Sequence, residues 1–345
     1  MDIATAPSAY THLAYAYGPP PARGVFRSVP EDFYVEELLG FYPTGEGEHT
    51  WVFIEKRGAN TRWVAGRLAD AAGIKARDVG YAGLKDRHAV TRQWFSLYTP
   101  GRQSRGLDSL DPDEIRVLTL TRSAKKLRVG AHTGNRFRIR IRDLDGDRAA
   151  LTSRLARIGD DGVPNYFGEQ RFGRDGENLK DVECLFKAGK PGRGARRGIV
   201  LSAARAWIFN QVLHSRCIEQ TWRTPQAGEW PHPDSVPTGP LWGRGRQRAS
   251  GAAAAVELAV VNRYAHWARG LENAGMRLQR RRLVCMPQHF DYAFKDAQLR
   301  LSFDLHKGQY ATAVLRELLL TSELLRVNCL GANNGHPAYY SCARA

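Results

Sequence analysis

Between Arg136 and Arg142 the chain alternates without a break: Phe137, Ile139 and Ile141 fall on one side, and Arg136, Arg138, Arg140 and Arg142 on the other. A period of two is the mark of a strand. Apolar side chains on one face and guanidinium groups on the other require a sheet that buries one side and wets the other. The chain must then supply a layer to cover the apolar face, and partner strands for the backbone.

Partners are easy to find. Phe33 to Glu37 alternates after the turn at Pro30, and Trp51 to Glu55 follows beyond the polar turn Thr44-Gly45-Glu46-Gly47. Val79 to Ala82, Gln93 to Tyr98, Arg116 to Thr121 and Leu299 to Leu305 are further strand candidates. Asn60 or Thr61 is placed to cap a helix ending near Ala72, with Gly73 as its stop; Val64, Leu68, Ala71 and Ala72 lie at helical spacing. Asp147 to Ile158 is predicted as a helix laid on the sheet. The character then changes. Lys187 to Gly198, rich in Gly, Arg and Lys, reads as a linker, and Ser202 is placed to cap a long helix to Trp222. Thr224 to Gly245 is expected to be irregular, Ala252 to Ala274 helical, and Gln309 to Leu320 helical again. The order predicts an α+β domain interrupted by a helix-rich insertion and completed by C-terminal elements.

The 345 residues carry 51 Lys+Arg against 35 Asp+Glu, a formal net charge of +16. Charge of that size, with Arg far ahead of Lys, points to a polyanion held by counterion release, and nucleic acid is the expected partner. Arg193 to Arg197 and Arg244 to Arg248 read as mobile basic loops able to track a phosphate backbone. With 43% apolar and 25% charged residues, disorder throughout is excluded. No apolar run reaches membrane-spanning length, since even Ala252 to Val261 contains Glu257. The start of the chain is not expected to act as a secretion signal. Five scattered cysteines without a CxxC pair argue against a disulfide framework or zinc cluster and for a reducing cytoplasm.

The most informative segment is Gly80 to Gln93, a Gly-bounded loop between two predicted strands that concentrates Lys85, Asp86, Arg87 and His88. Cationic neighbours favour the charged form of a carboxylate. Such a group in a basic groove suits nucleophilic or general-base work on an anionic substrate. Alone, a Lys-Asp-Arg turn is more often a solvated loop.

Gly83-Leu84-Lys85-Asp86-Arg87-His88-Ala89-Val90-Thr91 with Gln93 resembles the G-x-K-D-x-x-A-x-T-x-Q signature of the TruD family of tRNA pseudouridine synthases. Three further segments agree in order. Pro30 to Glu36 resembles the family's P-E-D-F-x-V-E motif. Val163 to Gly173 resembles V-P-N-Y-F-G-x-Q-R-F-G, and Gly308 to Glu317 resembles the closing G-x-(aromatic)-A-T-x-x-L-R-E motif. The likeness covers roughly residues 20–320, and four collinear motifs are far more specific than one.

The resemblance implies a pseudouridine-synthase-like fold, α+β, with a mixed, mainly antiparallel sheet flanked by helices. It divides the chain into residues 1–190 and 286–323 as the two parts of a catalytic domain, with a shortened insertion domain at 191–285. An atypical tail, 324–345, is expected to be disordered. It implies isomerisation of uridine to pseudouridine in tRNA, at position 13, by a cytoplasmic enzyme. No metal, nucleotide or redox cofactor and no protein partner is implied, and a monomer is expected. Asp86 becomes the catalytic residue, either attacking C1′ or removing the C2′ proton. Phe33 is the family's aromatic contact, Asn165 is a candidate reader of uracil or ribose, and Phe167 a brace. Tyr310 stands where the family has Phe and can stack on the substrate. Arg27, Lys85 and Arg171 are basic candidates to pair with Asp86 or a phosphate. His88 and His214 are read as non-catalytic. Thr224 to Val236 replaces a longer stretch with a D-G-D-like strand region, in an insertion that forms one wall of the family's RNA cleft. Two other classes stay open: a catalytically silent tRNA-binding or tRNA-folding protein, and a structural polyanion binder indifferent to tRNA.

Overall fold

The computed structural model describes residues 12–101, 106–173, 176–187, 195–230 and 235–320. The tail expected from residue 324 lies outside the described residues. In chain order the first half runs β1 (Ala22–Phe26), β2 (Phe33–Leu38), β3 (His49–Arg57), α1 (Thr61–Ala72), β4 (Val79–Tyr81), β5 (Val90–Tyr98), β6 (Ile115–Ser123), β7 (Gly134–Gly146), α2 (Arg148–Asp161) and β8 (Val163–Pro164). There follow α3 (Glu177–Lys187), α4 (Ala195–Ile218), β9 (Thr238–Leu241), α5 (Gly251–Arg263), α6 (Ala265–Asn273), β10 (Gln279–Arg282), β11 (Val284–Cys285), β12 (Gln288–Lys295), β13 (Gln298–His306) and α7 (Ala311–Leu318).

Nine strands form one sheet, ordered β12-β13-β7-β2-β5-β3-β6, with β1 added to β7 and β4 to β5. All its pairings are antiparallel except β2 with β5. The fold class is thus α+β with a mixed, mainly antiparallel sheet. The alternation that opened the sequence analysis sits at the centre: Phe137 pairs with Phe303 and Val35, and Ile139 with Leu301 and Phe33. Those side chains form one core, closed by Leu151, Leu155 and Ile158 of α2 and by Val314, Leu315 and Leu318 of α7. A second core places Val64 and Leu68 of α1 on Val52, Ile54, Phe95 and Leu97. A third is helical: α4 supplies Val200, Phe209 and Leu213, and it also takes in Tyr166, Phe167 and Phe172.

The caps follow side-chain chemistry. Asn60 accepts the Trp63 N–H and Gly73 ends α1 at φ 63°, the left-handed stop a glycine adopts without strain. Asp147 accepts the Ala149 and Ala150 N–H groups at the start of α2.

Four expectations change. Ser202 does not cap α4, which begins seven residues earlier at Ala195; Arg196 and Arg197, good helix formers, lead through Gly198 and Ile199 to the buried Val200 and Leu201. Arg196 and Arg197 therefore belong to its first turn and not to a basic loop, while residues 188–194 of the expected linker lie outside the described residues. The helix expected from Ala252 to Ala274 is two helices, because Tyr264 (φ −110°, ψ 34°) leaves helical geometry. The stretch Thr224 to Gly245 contains the short strand β9, which pairs with β10. Among the described residues no helix is long and apolar enough to cross a membrane.

Asp32 pins the entry of β2 to β7. It is fully buried, accepts Arg142 Nε and Nη2 at 2.8–3.0 Å, and also accepts the Val29 N–H at 3.2 Å. Asp32→Ala would leave Val29 unbonded and Arg142 unpaired. The loss should be about 2–3 kcal/mol, since Arg142 keeps partial hydration. Denaturant unfolding of the folded variant checks it; a loss below about 0.5 kcal/mol would mean the pair contributes nothing.

Candidate active site

Asp86 stands in the loop between β4 and β5, and that loop is tied down on all sides. Thr61, the first residue of α1, accepts the Lys85 N–H (2.9 Å) and donates to Gln93 Oε1 (3.0 Å). Gln93 Nε2 donates to the Gly83 carbonyl (3.1 Å). Lys56, fully buried, donates through Nζ to the carbonyls of Asp86 (3.0 Å) and Ala59 (2.5 Å). Burial pushes the Lys56 ammonium down to about 8, against the pull of Asp86.

Three cations were candidates for Asp86, and only one reaches it. Arg27 Nη2 donates to Asp86 Oδ2 at 2.9 Å. The Arg27 side chain is 10% exposed and that of Asp86 48% exposed, so one end of the pair is fixed and the other faces the opening. The guanidinium lies 3.9 Å from the Phe33 ring centroid, a cation–π contact. Its backbone sits at φ 61°, a left-handed conformation that costs energy outside glycine and gathers at functional sites. Burial lowers the Arg27 guanidinium, and Asp86 raises it. Lys85 turns away to a buried pair with Glu37 (2.8 Å), whose other oxygen accepts the Trp94 N–H. Arg171 donates to the Tyr310 hydroxyl (2.8 Å) and to Ser202 Oγ (3.2 Å).

A cavity of about 300 Å³ opens in front of Asp86. Arg27, Phe33, Lys85 and Tyr310 line it with Asp86, as expected sites brought together. Asn135, Gln170 and Thr312 line it too, and sequence reasoning had not singled them out. Asn135 Oδ1 and Thr312 Oγ1 are buried at its wall without a hydrogen-bond partner among the described residues. Gln170 and Thr312 fall inside the quoted motifs, so the motifs held a signal; Asn135, at the head of β7, gave none.

Asn165, Phe167 and Arg171 do not line this cavity. Asn165 lines a neighbouring pocket of about 220 Å³ that shares Gln309 with the first. Its Nδ2 donates to the Arg282 carbonyl and its Oδ1 accepts Arg281 Nη2. Phe167 packs 5.9 Å from the Tyr310 ring and beneath Arg281. His214 accepts the Ala14 N–H, and His88 is exposed; neither lines the cavity. Among the described residues no group of three or more His, Cys, Asp or Glu is placed to hold a metal ion.

Residues 11–183 and 230–318 match the family model for tRNA pseudouridine synthase D (TruD). The chain belongs to the TruD family. It is 46% identical over 320 residues to tRNA pseudouridine synthase D of Cellvibrio japonicus (strain Ueda107), covering 91% of this chain and 94% of that one. The protein of the same name from Nitrosococcus oceani is 44% identical over 338 residues, with 90% and 94% covered. The crystal structure of a putative TruD from Methanosarcina mazei shares the fold at a TM-score of 0.68 and 20% identity, covering 89% of this chain and 95% of its own. The TruD match resumes at residue 230 after leaving out 184–229, the stretch that holds α4.

Lys56 gives the TruD loop a pH signature. Its value in the folded protein, about 8, lies below its ordinary 10.5. Between these pH values the unfolded chain binds the extra proton, so stability from this group rises with pH; below pH 8 the penalty is fully present. The stability of wild type minus that of Lys56→Met should rise by about 3 kcal/mol from pH 8 to 10.5. Denaturant unfolding across that range measures it, and a flat difference would refute the assignment.

Proposed function

We propose that the chain isomerises uridine to pseudouridine in tRNA, at position 13 in the D-arm region, with Asp86 as the group that acts on the ribose. One juxtaposition carries the reading: a half-exposed carboxylate, fixed by Arg27, opens into a cavity walled by the rings of Phe33 and Tyr310. The relatives' names give tRNA as their substrate, and the +16 charge suits it. The cytoplasm is the compartment this substrate implies.

A uridine inside a folded RNA must leave the stack before its sugar can be reached. Tyr310 offers its half-buried ring to an extruded base, with Phe33 behind under the Arg27 guanidinium, and Asn135, Gln170 and Thr312 add polar side chains to the wall. The N1–C1′ bond then breaks and a C5–C1′ bond forms. The proton leaving C5 is balanced by the one that N1 gains, so no atom or electron is exchanged with a second reactant. Asp86 serves this in one of two ways: Oδ1 adds to C1′ as the base departs, or the carboxylate takes the C2′ proton and later returns it. In both, Arg27 steadies the negative charge of Oδ2 without covering Oδ1.

Asp86→Asn keeps the shape and, with a half-exposed side chain, should fold normally. Pseudouridine formed in unmodified tRNA should fall by at least about 100-fold, while tRNA affinity changes by less than about threefold. Wild type that binds tRNA at low salt but forms no pseudouridine would favour the silent tRNA binder. Equal affinity for duplex DNA at matched salt would favour the structural polyanion binder.

A further inference from the structure

β10 carries consecutive arginines to different fates. Arg280 Nη2 reaches Glu257 at 2.7 Å and lies 3.8 Å from Glu229. Arg281, the next residue, meets no carboxylate among the described residues. Nη1 donates to the Gly308 carbonyl (2.7 Å), and Nη2 to the Asn165 carbonyl (3.2 Å) and Oδ1 (2.6 Å). Nε is buried with no acceptor. The guanidinium stacks 4.0 Å from the Phe167 centroid. Burial pushes Arg281 down to about 10; the nearby groups that act on it are Tyr310, Cys285 and Arg171, none a carboxylate. A half-buried cation with no carboxylate partner among the described residues leaves its charge uncompensated by the protein.

The pocket that Arg281 enters holds about 220 Å³ and is lined by Asn165, Arg281, Arg282, His306, Lys307 and Gln309, with no acidic residue. Lys307 stands exposed at its rim, its Nζ spent among the described residues on the Gly130 carbonyl at 3.2 Å. Gln309 lines this pocket and the Asp86 cavity alike, and Gly308, which Arg281 holds, belongs to the wall of the cavity.

The geometry points to a phosphate site: the Arg281–Lys307 pocket receives the backbone phosphodiester that flanks the extruded uridine on one side. This rests on the reading that the Asp86 cavity takes a uridine of tRNA. Arg281 contributes a fixed positive charge with one Nη1 hydrogen unspent, and the exposed Lys307 ammonium adds a mobile point charge that can pair directly with phosphate oxygens. A phosphate held there would set register, since phosphate contacts position the chain and base contacts specify it. Because the two pockets share Gln309, the phosphate belongs to the nucleotide in the cavity or to its immediate neighbour.

The test uses unmodified tRNA with a neutral methylphosphonate at the linkage 5′ or 3′ of the target uridine. A 2′-O-methyl group on the preceding nucleotide keeps the linkage intact, and a 2′-O-methyl RNA with ordinary phosphate is the control. Affinity is measured for wild type, Arg281→Gln and Lys307→Gln; the second variant is at an exposed position and does not disturb folding. At one of the two linkages, neutralisation should weaken wild-type binding about tenfold and either variant less than about twofold. On all-phosphate RNA, Lys307→Gln should also lower the slope of log affinity against log salt by about 0.7–0.9. If neutral linkages affect wild type and variants equally, or affect neither, the pocket does not take an RNA phosphate. Arg281 then only braces Gly308 and Asn165, or the pocket takes free phosphate. Pseudouridine formed by wild type on unmodified, all-ribose tRNA keeps this outcome separate from failure of the function itself.

Discussion

The site exists because two strands in a mostly antiparallel sheet run the same way. β2 and β5 pair in parallel, Tyr34 beside Val90 and Val35 beside Thr91. Segments leading into parallel strands arrive at the same edge of a sheet, whereas in an antiparallel pair they would lie at opposite ends. Residues 27–32 and 82–89 are those segments. Arg27 therefore meets Asp86 across 59 positions of sequence, with Phe33 beneath its guanidinium. The crossover that parallel pairing needs is supplied by β3, α1 and β4, and α1 repays it locally by presenting Thr61 to the loop.

Around that edge the charges divide the work by exposure. Lys85 and Glu37 are buried together at 2.8 Å, a pair that fixes geometry and leaves the Lys85 ammonium spent on Glu37 and not on Asp86. Asp86 and Arg27 form the other pair, with only the arginine enclosed. Lys56 completes the arrangement from beneath, holding the Asp86 backbone while leaving its carboxyl free. The loop backbone is thus held by neutral and buried bonds, and its reactive group by a single cation on one oxygen. That separation lets the carboxyl engage a substrate without releasing the loop that positions it.

Much of this was legible in the chain, for physical reasons that differ by element. The β7 strand was plain because its alternation reports burial on one face, and its neighbours β2 and β13 repeat the pattern. Strand β10 was invisible: Gln279-Arg280-Arg281-Arg282 has no apolar face, and it is extended because β9 pairs with it. The edge strand β12 did carry a period of two, since Phe290, Tyr292 and Phe294 alternate with Asp291 and Ala293 and lie half-buried against the core. Asp86 could be named from its motif, but not its partner. Arg27, Lys85 and Arg171 look alike in sequence, and the choice among them depends on the strand direction of β2 and β5. Asn165 lies in a recognised motif, yet its amide is taken up by Arg281 and Arg282, which come from more than a hundred residues away.

The cavity also has a chemistry suited to a base that must turn. Uracil cleaved from its sugar has to rotate before C5 meets C1′. A site that fastened every polar edge of the ring would hold one orientation and resist the other. In the proposed reading the wall offered to the base is the half-buried ring of Tyr310, with Phe33 enclosed behind the Arg27 guanidinium, and stacking is indifferent to rotation in the plane of the ring. The polar groups are few: Asn135 Oδ1 and Thr312 Oγ1 lack partners, and Gln170 lies beside them. A small set of unspent acceptors can meet different donors before and after the turn. The strong, directional bonds are reserved for the loop and for the arginine on Asp86, so in the proposed reading the rigid part of the site would meet the sugar and the permissive part the base.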